Sequence, residues 1–357
     1  MPRGPMKTAM PSRPDTEPVN DLVNPASQTT SPRPAGRSRR SAQAPRARRP
    51  WLRVDGVLLL DKPVGPSSND ALQRARRVFS AASAGHGGTL DPMASGLLPI
   101  AFGEATKFLH DLLDADKTYE ATMCLGVCTD SGDAQGVVVS ERAVDVSDAD
   151  IAAACAAFLG EIDQIPPMHS ALKRDGRPLY EYAREGIVLD RPARRVRVHA
   201  LDLIGIDRSD ASRPQVSIRT HVSKGTYIRT LAQDIGERLG CGAHLIALRR
   251  TQVASLSISD AVSLEALEAA EPVQRDQWLG PTDRLLASLP RIALNDLLAH
   301  RFIQGQRLVL DTVARAPLQQ AQAGPVRVYC GERLLGVAGF EPPGLLAPRR
   351  LIAPPPT

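Results

Sequence analysis

The chain has 357 residues and a formal net charge of +5 at pH 7, a length that predicts two folded domains with accessory segments. No run of about eighteen uninterrupted apolar residues occurs, and the N-terminus has no apolar signal-peptide core, so neither a membrane span nor export is supported. The five cysteines are scattered and form no CxxC pair. This pattern indicates reduced thiols in a cytoplasmic protein, and excludes a disulfide framework or a zinc site.

The positive charge is concentrated at the N-terminus. Residues 1–50 hold nine arginines and one lysine against three acidic residues, together with ten of the thirty prolines. Low hydrophobicity, high proline content and like charge predict a disordered basic arm. This arm either adds non-specific RNA affinity or is an inert solvated extension. Any nucleic-acid surface on the remaining chain must then be a local patch, because those residues sum to a slightly negative charge.

The ordered chain is predicted to begin near Trp51 with two short buried strands and two helices. The apolar run Val57–Leu60 predicts a strand that ends in a turn at Asp61–Pro66. Ser68 and Asn69 are in a position to cap a helix that runs to about Phe79. After a glycine-rich loop, residues 97–102 predict a second buried strand, and residues 104–113 an amphipathic helix.

The next elements mix strands with helices. Tyr119, Ala121, Met123 and Leu125 alternate with polar residues, which predicts a half-buried strand closed by a turn at Asp130–Asp133. Ser147 and Asp150 form a capping box before a helix that reaches about Phe158. Residues 194–207 and 215–223 are predicted strands, and residues 228–239 a helix that begins after Tyr227 and ends at Gly240. Without regular βαβ alternation, this order favours an α+β fold.

A proline-flanked stretch at residues 278–290 marks the second boundary. Beyond it, a short helix near residues 295–302 precedes small strands, including Val326–Tyr329 and Leu334–Phe340. We therefore expect three parts: a basic arm over residues 1–50, a main domain over residues 51–285, and a β-rich module over residues 286–357.

The glycine-rich loop seats a single carboxylate, Asp91, in an otherwise uncharged run from Gly85 to Ile100. Pro92 fixes the backbone after it, and the glycines allow another molecule to approach closely. The chemical interpretation is a rigidly presented carboxylate beside an open surface. The structural alternative is a helix start, with Asp91 as N-cap and Pro92 at the first helical position.

Several kinds of chemistry are excluded by missing motifs. The histidines are dispersed, no HExxH occurs, and the glycine cluster matches neither GxGxxG nor a P-loop. A serine-hydrolase nucleophile elbow is also missing. A carboxylate, tyrosines and basic residues remain, which suit covalent or acid/base catalysis at an uncharged centre.

Several segments together closely resemble the bacterial TruB family of tRNA pseudouridine synthases. They are Gly56–Pro63, Gly85–Leu98, Lys117–Tyr119, Ser170–Lys173 and Ser223–Arg229, in the family's order and spacing. The resemblance runs from about Trp51 to the C-terminus. One departure is Gly87, where the family more often has Thr or Ala, and a smaller residue there is expected to loosen the loop slightly.

The resemblance implies a pseudouridine synthase fold, with a mixed, largely antiparallel central sheet flanked by helices and a small C-terminal PUA-like β-barrel. It assigns Asp91 as the nucleophile that attacks the target uridine, at the ribose or at the base. It stacks Tyr119 on the flipped base and makes it a candidate for proton removal at C5. It pairs Arg229 with the Asp91 carboxylate, and this opposite charge keeps Asp91 ionised in an apolar pocket. Without the family, Tyr119 is an ordinary strand aromatic and Arg229 a solvated helix residue.

Further residues are assigned to substrate binding. The resemblance places Tyr227 below the base and gives His86 a part in displacing the base from its loop. Lys62 and Lys173 support the loops or contact phosphate. The alternative for His86 is a polar loop residue without a role.

The function implied is isomerisation of the T-loop uridine of tRNA, with no cofactor and no metal, because the reaction is redox-neutral and transfers no phosphate. The expected partner is tRNA, through its T-arm and acceptor stem. The expected protein is a cytoplasmic monomer without a membrane or an obligate protein partner. Two alternatives remain: a tRNA-folding chaperone with secondary catalysis, and a synthase of the same fold that acts on another RNA.

Overall fold

A computed structural model describes residues 50–311 and 323–353 of the chain. The predicted basic arm over residues 1–50 lies outside the described residues, apart from Pro50. In the described part, no helix is both long enough and apolar enough to cross a membrane.

The main domain is built on an eleven-stranded mixed sheet. Its strands are β1 (Gly56–Lys62), β2 (Ala84–His86), β3 (Ala94–Phe102), β4 (Lys117–Leu125), β7 (Gly160–Gln164), β10 (Arg194–Asp207), β11 (Gln215–Val222), β12 (Ala243–Val253), β13 (Leu256–Ser257), β14 (Val262–Ser263) and β15 (Leu279–Gly280). The main path runs β14-β1-β3-β12-β4-β11-β10-β7. Only the β1–β14 and β3–β12 pairs in this sheet are parallel, which confirms the predicted mixed, largely antiparallel sheet.

Two small hairpins stand apart from this sheet. They are β5 (Val127–Thr129) with β6 (Val138–Glu141), and β8 (Lys173–Arg174) with β9 (Arg177–Pro178). The helices are α1 (Ser68–Val78), α2 (Leu109–Leu113), α3 (Asp148–Ala156), α4 (Leu179–Arg184), α5 (Ile228–Arg238), α6 (Leu264–Ala269), α7 (Pro272–Gln277) and α8 (Asp296–Ile303). Short 3₁₀ segments occupy Gly103–Phe108, Ile258–Asp260 and Thr282–Leu286.

The C-terminal module contains a second sheet of five strands. These are β16 (Arg291–Ala293), β17 (Leu308–Val309), β18 (Gly324–Cys330), β19 (Arg333–Glu341) and β20 (Leu345–Leu351), in the order β16-β18-β19-β20-β17. Together with α8 they enclose a separate apolar cluster around Phe302 and Val328. This small curled sheet agrees with the predicted PUA-like module.

The alternation in β4 fixes which side chains reach the main core. Tyr119, Ala121, Met123 and Leu125 are all buried, as the period-two pattern predicts. They pack against Ile228 and its neighbours on α5, which begins immediately after Tyr227 as predicted. The sheet and the helix therefore place Tyr119 and the first turn of α5 side by side.

Three local predictions were wrong in detail. Ser67, one residue before the predicted cap, closes the capping box of α1 with Asp70. The predicted helix over residues 104–113 is a 3₁₀ segment followed by the single short helix α2. No helix follows Asp91, because Pro92 leads through a turn directly into β3 at Ala94. The capping alternative for Asp91 is therefore wrong.

Candidate active site

Asp91 lies on a loop, residues 85–93, that we call the catalytic loop. The residue before it is fixed by Ser68, whose Oγ accepts from the Leu90 amide at 2.7 Å and donates to the Leu90 carbonyl at 3.0 Å. The residue after it is fixed by the Gly65 amide, which donates to the Pro92 carbonyl at 2.8 Å. Hydrogen bonds on both sides thus hold the backbone of Asp91, while its side chain stays 38% exposed.

Arg229 on α5 is the charged partner of Asp91. Its Nε lies 3.0 Å from Asp91 Oδ2 and 3.6 Å from Asp133 Oδ2, and its side chain is only 5% exposed. Nη1 donates to the Ser131 carbonyl at 2.8 Å, and Nη2 donates to the His169 carbonyl at 2.6 Å. A cation in the first turn of a helix opposes the helix dipole, and here two carboxylates and two carbonyls compensate for that position.

The cavity beside Asp91, which we call the aromatic cavity, has two tyrosines and several apolar residues on its walls together with charged and polar ones. It has a volume of about 250 Å³ and is lined by Tyr119, Tyr227, Leu90 and Leu248 in addition to the ion pair. Tyr227 precedes α5 in an extended conformation, and its amide donates to Gln164 Oε1 at 3.0 Å. Flat walls of this kind suit a stacked pyrimidine ring.

A second, larger cavity of about 620 Å³ adjoins the first. His86, Asn69, Tyr180 and Arg184 line it. The two cavities share one wall, formed by Thr89, Leu90, Asp91, Ser170, Ala171 and Arg229. The carboxylate therefore faces two spaces, of which only the first is bounded by Tyr119 and Tyr227.

Three buried cations lie behind the catalytic loop. Lys62 donates to the carbonyls of Pro63 and Pro66, at 2.8 and 2.9 Å. Lys117 donates to the carbonyls of Leu112, Leu113 and Ala115 at the end of α2. Burial, the largest cause, and the Arg250 charge together lower the pKa of each lysine to about 8, although the Asp91 charge acts in the opposite direction on Lys62.

Arg250 fixes the loop from beneath. It is 1% exposed, and its Nε donates to the Leu97 carbonyl at 2.8 Å while Nη2 donates to the Gly88 carbonyl at 3.1 Å. Gly96 allows the backbone of Arg250 on β12 to lie close to β3, since its φ is +107° and a Cβ there would lie 2.3 Å from the Arg250 carbonyl oxygen. The guanidinium also lines the aromatic cavity.

Gly87 is tightly packed rather than loose. A Cβ at this position would lie 2.7 Å from Leu112 Cδ1 and 3.2 Å from Leu112 Cβ. Leu112 is itself buried in the core beneath the loop. The expectation that the small residue loosens the loop is therefore wrong, because the Leu112 side chain fills the space.

Five of the seven predicted site residues come together at the cavities. Asp91, Tyr119, Arg229 and Tyr227 line the first, and His86 lines the second. Burial, and then the Arg250 charge, lowers the pKa of His86, so its ring is neutral near pH 7. Lys62 is completely buried, which favours loop support over phosphate contact. Lys173 is exposed on the β8–β9 hairpin, away from both cavities.

Three site residues were missed by the sequence analysis. Asp133 appeared only as part of a turn, Ser170 only as part of a motif, and Arg250 not at all. The turn signal at residues 130–133 hinted at an ordered loop without indicating its partner. No sequence pattern pointed to Arg250, and the strand that carries it, β12, was not predicted either.

Family models cover most of the described chain. TruB family pseudouridylate synthase (N terminal domain) matches residues 76–228, and tRNA pseudouridylate synthase B C-terminal domain matches residues 229–289. Pseudouridine synthase II TruB, C-terminal, matches residues 290–352.

Curated relatives agree with these models. The chain is 56% identical over 311 residues to tRNA pseudouridine synthase B of Ralstonia nicotianae, covering 86% of this chain and 96% of the relative. It is also 56% identical over 310 residues to the protein of the same name from Burkholderia mallei, covering 87% and 97%.

Solved structures share the fold at lower identity. A structure of the archaeal box H/ACA sRNP superposes with a TM-score of 0.62 at 25% identity, covering 84% of this chain and 86% of that chain. An H/ACA RNP bound to a substrate RNA containing 2′-deoxyuridine also superposes with a TM-score of 0.62, at 23% identity, covering 84% and 85%.

Proposed function

The chain belongs to the TruB family of tRNA pseudouridine synthases, and we propose that it acts on the T-loop uridine of tRNA with Asp91 as its nucleophile. The protein is an isomerase that converts uridine in tRNA to pseudouridine. The ion pair between Arg229 Nε and Asp91 Oδ2, at 3.0 Å on the wall of a cavity lined by two tyrosines, carries the assignment of the nucleophile.

The proposed reaction needs only this chain and its substrate. A carboxylate oxygen of Asp91 bonds to the anomeric carbon as the bond from that carbon to N1 breaks; alternatively, it adds to C6 of the base, and the bond between N1 and the anomeric carbon breaks afterwards. Uracil turns within the cavity, its C5 bonds to the anomeric carbon, and the carboxylate is released. The C5 proton then leaves to a base and N1 takes up a proton, so the product is an isomer of uridine. The ribose route resembles the first half of a retaining glycosidase mechanism, with the leaving base retained as the incoming nucleophile.

Arg229 and the two tyrosines have complementary proposed roles. Arg229 holds Asp91 toward the aromatic cavity and compensates its charge, while Tyr119 and Tyr227 stack on the flipped base. Tyr119 is also the candidate for removal of the C5 proton. His86, at the second cavity, fills the place that the target base leaves in the RNA loop, which offsets part of the few kcal/mol needed for flipping.

We further propose how the whole tRNA is bound. The main domain, residues 51–285, binds the T-arm by the shape of the loop and its unstacked bases, and the C-terminal module, residues 286–357, contacts the acceptor stem. The protein acts as a cytoplasmic monomer, with Lys173 on an exposed hairpin as a phosphate contact. The boundary between the two domains stays a prediction.

The variant Asp91→Asn tests the role of the carboxylate. It keeps the size of the side chain and removes the nucleophile, so turnover on an unmodified tRNA transcript should be lost while the Kd for tRNA changes by only a few-fold. Pseudouridine is quantified in the product RNA, and the Kd is measured by filter binding. Loss of both properties would mean that Asp91 is structural. Turnover retained by the variant would refute Asp91 as the nucleophile. A wild-type chain that binds tRNA without turnover would instead favour the tRNA-folding alternative.

A further inference from the structure

Ser170 carries a buried hydroxyl without a partner. The residue is 5% exposed, and its backbone is fully used: its amide donates to the Met168 carbonyl at 2.9 Å, and its carbonyl accepts from the Tyr180 amide at 3.1 Å. Its Oγ makes no hydrogen bond to any described residue. A buried hydroxyl without a hydrogen bond is energetically unfavourable, so Ser170 Oγ is available to bond a ligand.

The position of Ser170 points to that partner. It stands on the wall that the two cavities share, together with Asp91 and Arg229. The preceding carbonyl, of His169, accepts the Arg229 Nη2 hydrogen bond at 2.6 Å, which fixes Ser170 relative to the ion pair. A ligand atom close to Asp91 therefore also lies close to Ser170.

The chemistry of the target nucleotide narrows the choice of ligand atom. With uracil in the aromatic cavity, both carbons open to attack, the anomeric carbon and C6, are bonded to N1. The sugar therefore lies against the shared wall on either route. Within an RNA chain the 3′ and 5′ oxygens are esterified, so the 2′-hydroxyl is the sugar's only free hydroxyl, and it both donates and accepts hydrogen bonds.

We propose that Ser170 Oγ hydrogen-bonds the 2′-hydroxyl of the target nucleotide and so helps the enzyme distinguish ribose from deoxyribose at that position. The inference rests on the proposed function, since it places the target base in the aromatic cavity. Hydrogen bonds at catalytic sites often form fully only in the complex, which explains the unpaired hydroxyl in the free protein.

Thr230 supplies a matched control. Its Oγ1 is also buried and without a hydrogen-bond partner among the described residues. It is 8% exposed and lines neither cavity. Thr230→Val removes an unsatisfied hydroxyl of the same kind at nearly constant volume, without touching the space assigned to the nucleotide.

The test is a binding cycle on the full chain. Two T-arm hairpins are compared, one with uridine and one with 2′-deoxyuridine at the target position. All proteins carry Asp91→Asn, so that no substrate is converted, and they differ at Ser170 (Ser, Ala or Cys) or at Thr230 (Thr or Val). Cysteine keeps the shape of serine with a larger atom in place of the oxygen, and it is a weak hydrogen-bond donor.

We expect Ser170→Ala and Ser170→Cys to weaken binding of the uridine hairpin roughly three- to tenfold and to leave binding of the deoxyuridine hairpin unchanged. Thr230→Val should change neither. The Tm of Ser170→Ala should equal or exceed that of its parent, because an unsatisfied hydroxyl is removed. Equal weakening on both hairpins, or no weakening on either, would overturn the proposal.

A separate measurement distinguishes this failure from failure of the proposed function. The chain with Asp91 intact is incubated with the uridine hairpin, and pseudouridine is quantified. Formation of pseudouridine without a Ser170 effect in the binding cycle refutes only the ribose contact. Failure to form pseudouridine refutes the proposed T-arm substrate itself, and with it the premise of the Ser170 assignment.

Discussion

The catalytic loop and residues 165–193, which we call the Ser170 segment, contribute to the same site but are held very differently. Leu90 and Met93 anchor the catalytic loop in the largest apolar cluster, while Ser68, Gly65 and Arg250 bond its backbone. No residue of the Ser170 segment joins any of the four apolar clusters of the described chain. It consists of the two-residue strands of a hairpin, the short helix α4 and irregular chain.

We interpret this difference as a division of roles: the catalytic loop carries the proposed chemistry, and the Ser170 segment contributes to the proposed recognition of the nucleotide. Asp91, the proposed nucleophile, lies on the catalytic loop, whose buried contacts fix its position before substrate arrives. The hydroxyl of Ser170 lies on the Ser170 segment, whose few core contacts predict that this segment opens locally at lower free energy than the catalytic loop. Arg229 bonds both segments: it pairs with Asp91 of the catalytic loop and donates to the His169 carbonyl of the Ser170 segment.

The largest effect is expected from Arg229→Met, because it removes bonds to both the catalytic loop and the Ser170 segment. Asp133, which is 7% exposed, loses its cation, and breaking a buried ion pair costs about 3–5 kcal/mol. Turnover should fall roughly 100-fold or more, since the compensating charge beside the nucleophile is lost. Urea unfolding and single-turnover kinetics measure the two effects. Near-wild-type stability would show that the catalytic loop and the Ser170 segment keep their positions without Arg229.

Arg250→Met should release the catalytic loop alone. The carbonyls of Gly88 and Leu97 lose their donor, which predicts a loss of about 1–3 kcal/mol in the free energy of unfolding. The pKa of His86 should rise, since the Arg250 charge lowers it in the wild type. NMR titration of the histidines checks this shift. An unchanged His86 pKa would contradict the proximity of the two side chains.

Gly87→Ala tests how tightly the loop is packed. The added methyl group meets Leu112, so we expect a loss of about 1–3 kcal/mol, the usual range for overpacking. Leu112→Ala alone should cost about 2–5 kcal/mol by cavity formation. Together the two changes should cost less than their sum by at least about 0.5 kcal/mol. Strict additivity would mean that the loop shifts away from Leu112.

The smallest effect is expected in the Ser170 segment, from Arg177→Gln. Arg177 bonds Glu181 at 3.0 Å and also pairs with Glu185, and all three side chains are at least one-third exposed. Exposed pairs of this kind contribute about 0–1 kcal/mol, so Tm and turnover should stay close to those of the wild type. A large loss of stability would show that the Ser170 segment is more firmly held than its contacts indicate.

The sequence predicted those elements whose signals are local. The alternation around Tyr119, the capping box at Ser147 and the start of α5 after Tyr227 are all confirmed. Each depends on residues within one turn or one strand. The break of residues 103–113 into a 3₁₀ segment and α2 was not predictable in this way, because packing beneath the catalytic loop decides it.

Contacts between residues far apart in the chain could not be predicted from the sequence. Asp133 meets Arg229 across 96 positions of the chain, and Arg250 reaches Gly88 across 162. The family resemblance brought in Asp91, Tyr119 and Arg229, but it gave no role to Ser170. Only the folded chain shows that this hydroxyl is buried, unpaired and on the same wall as Asp91.

The most direct test of the central claim is tritium release from tRNA transcripts that contain C5-labelled uridine. Formation of the bond between C5 and the anomeric carbon expels the label, so release reports the isomerisation itself. We expect release by the wild-type protein from one T-loop position, identified by mapping of the product, and none by Asp91→Ala. Release at another position would contradict the T-loop assignment, and release by the variant would contradict Asp91 as the nucleophile.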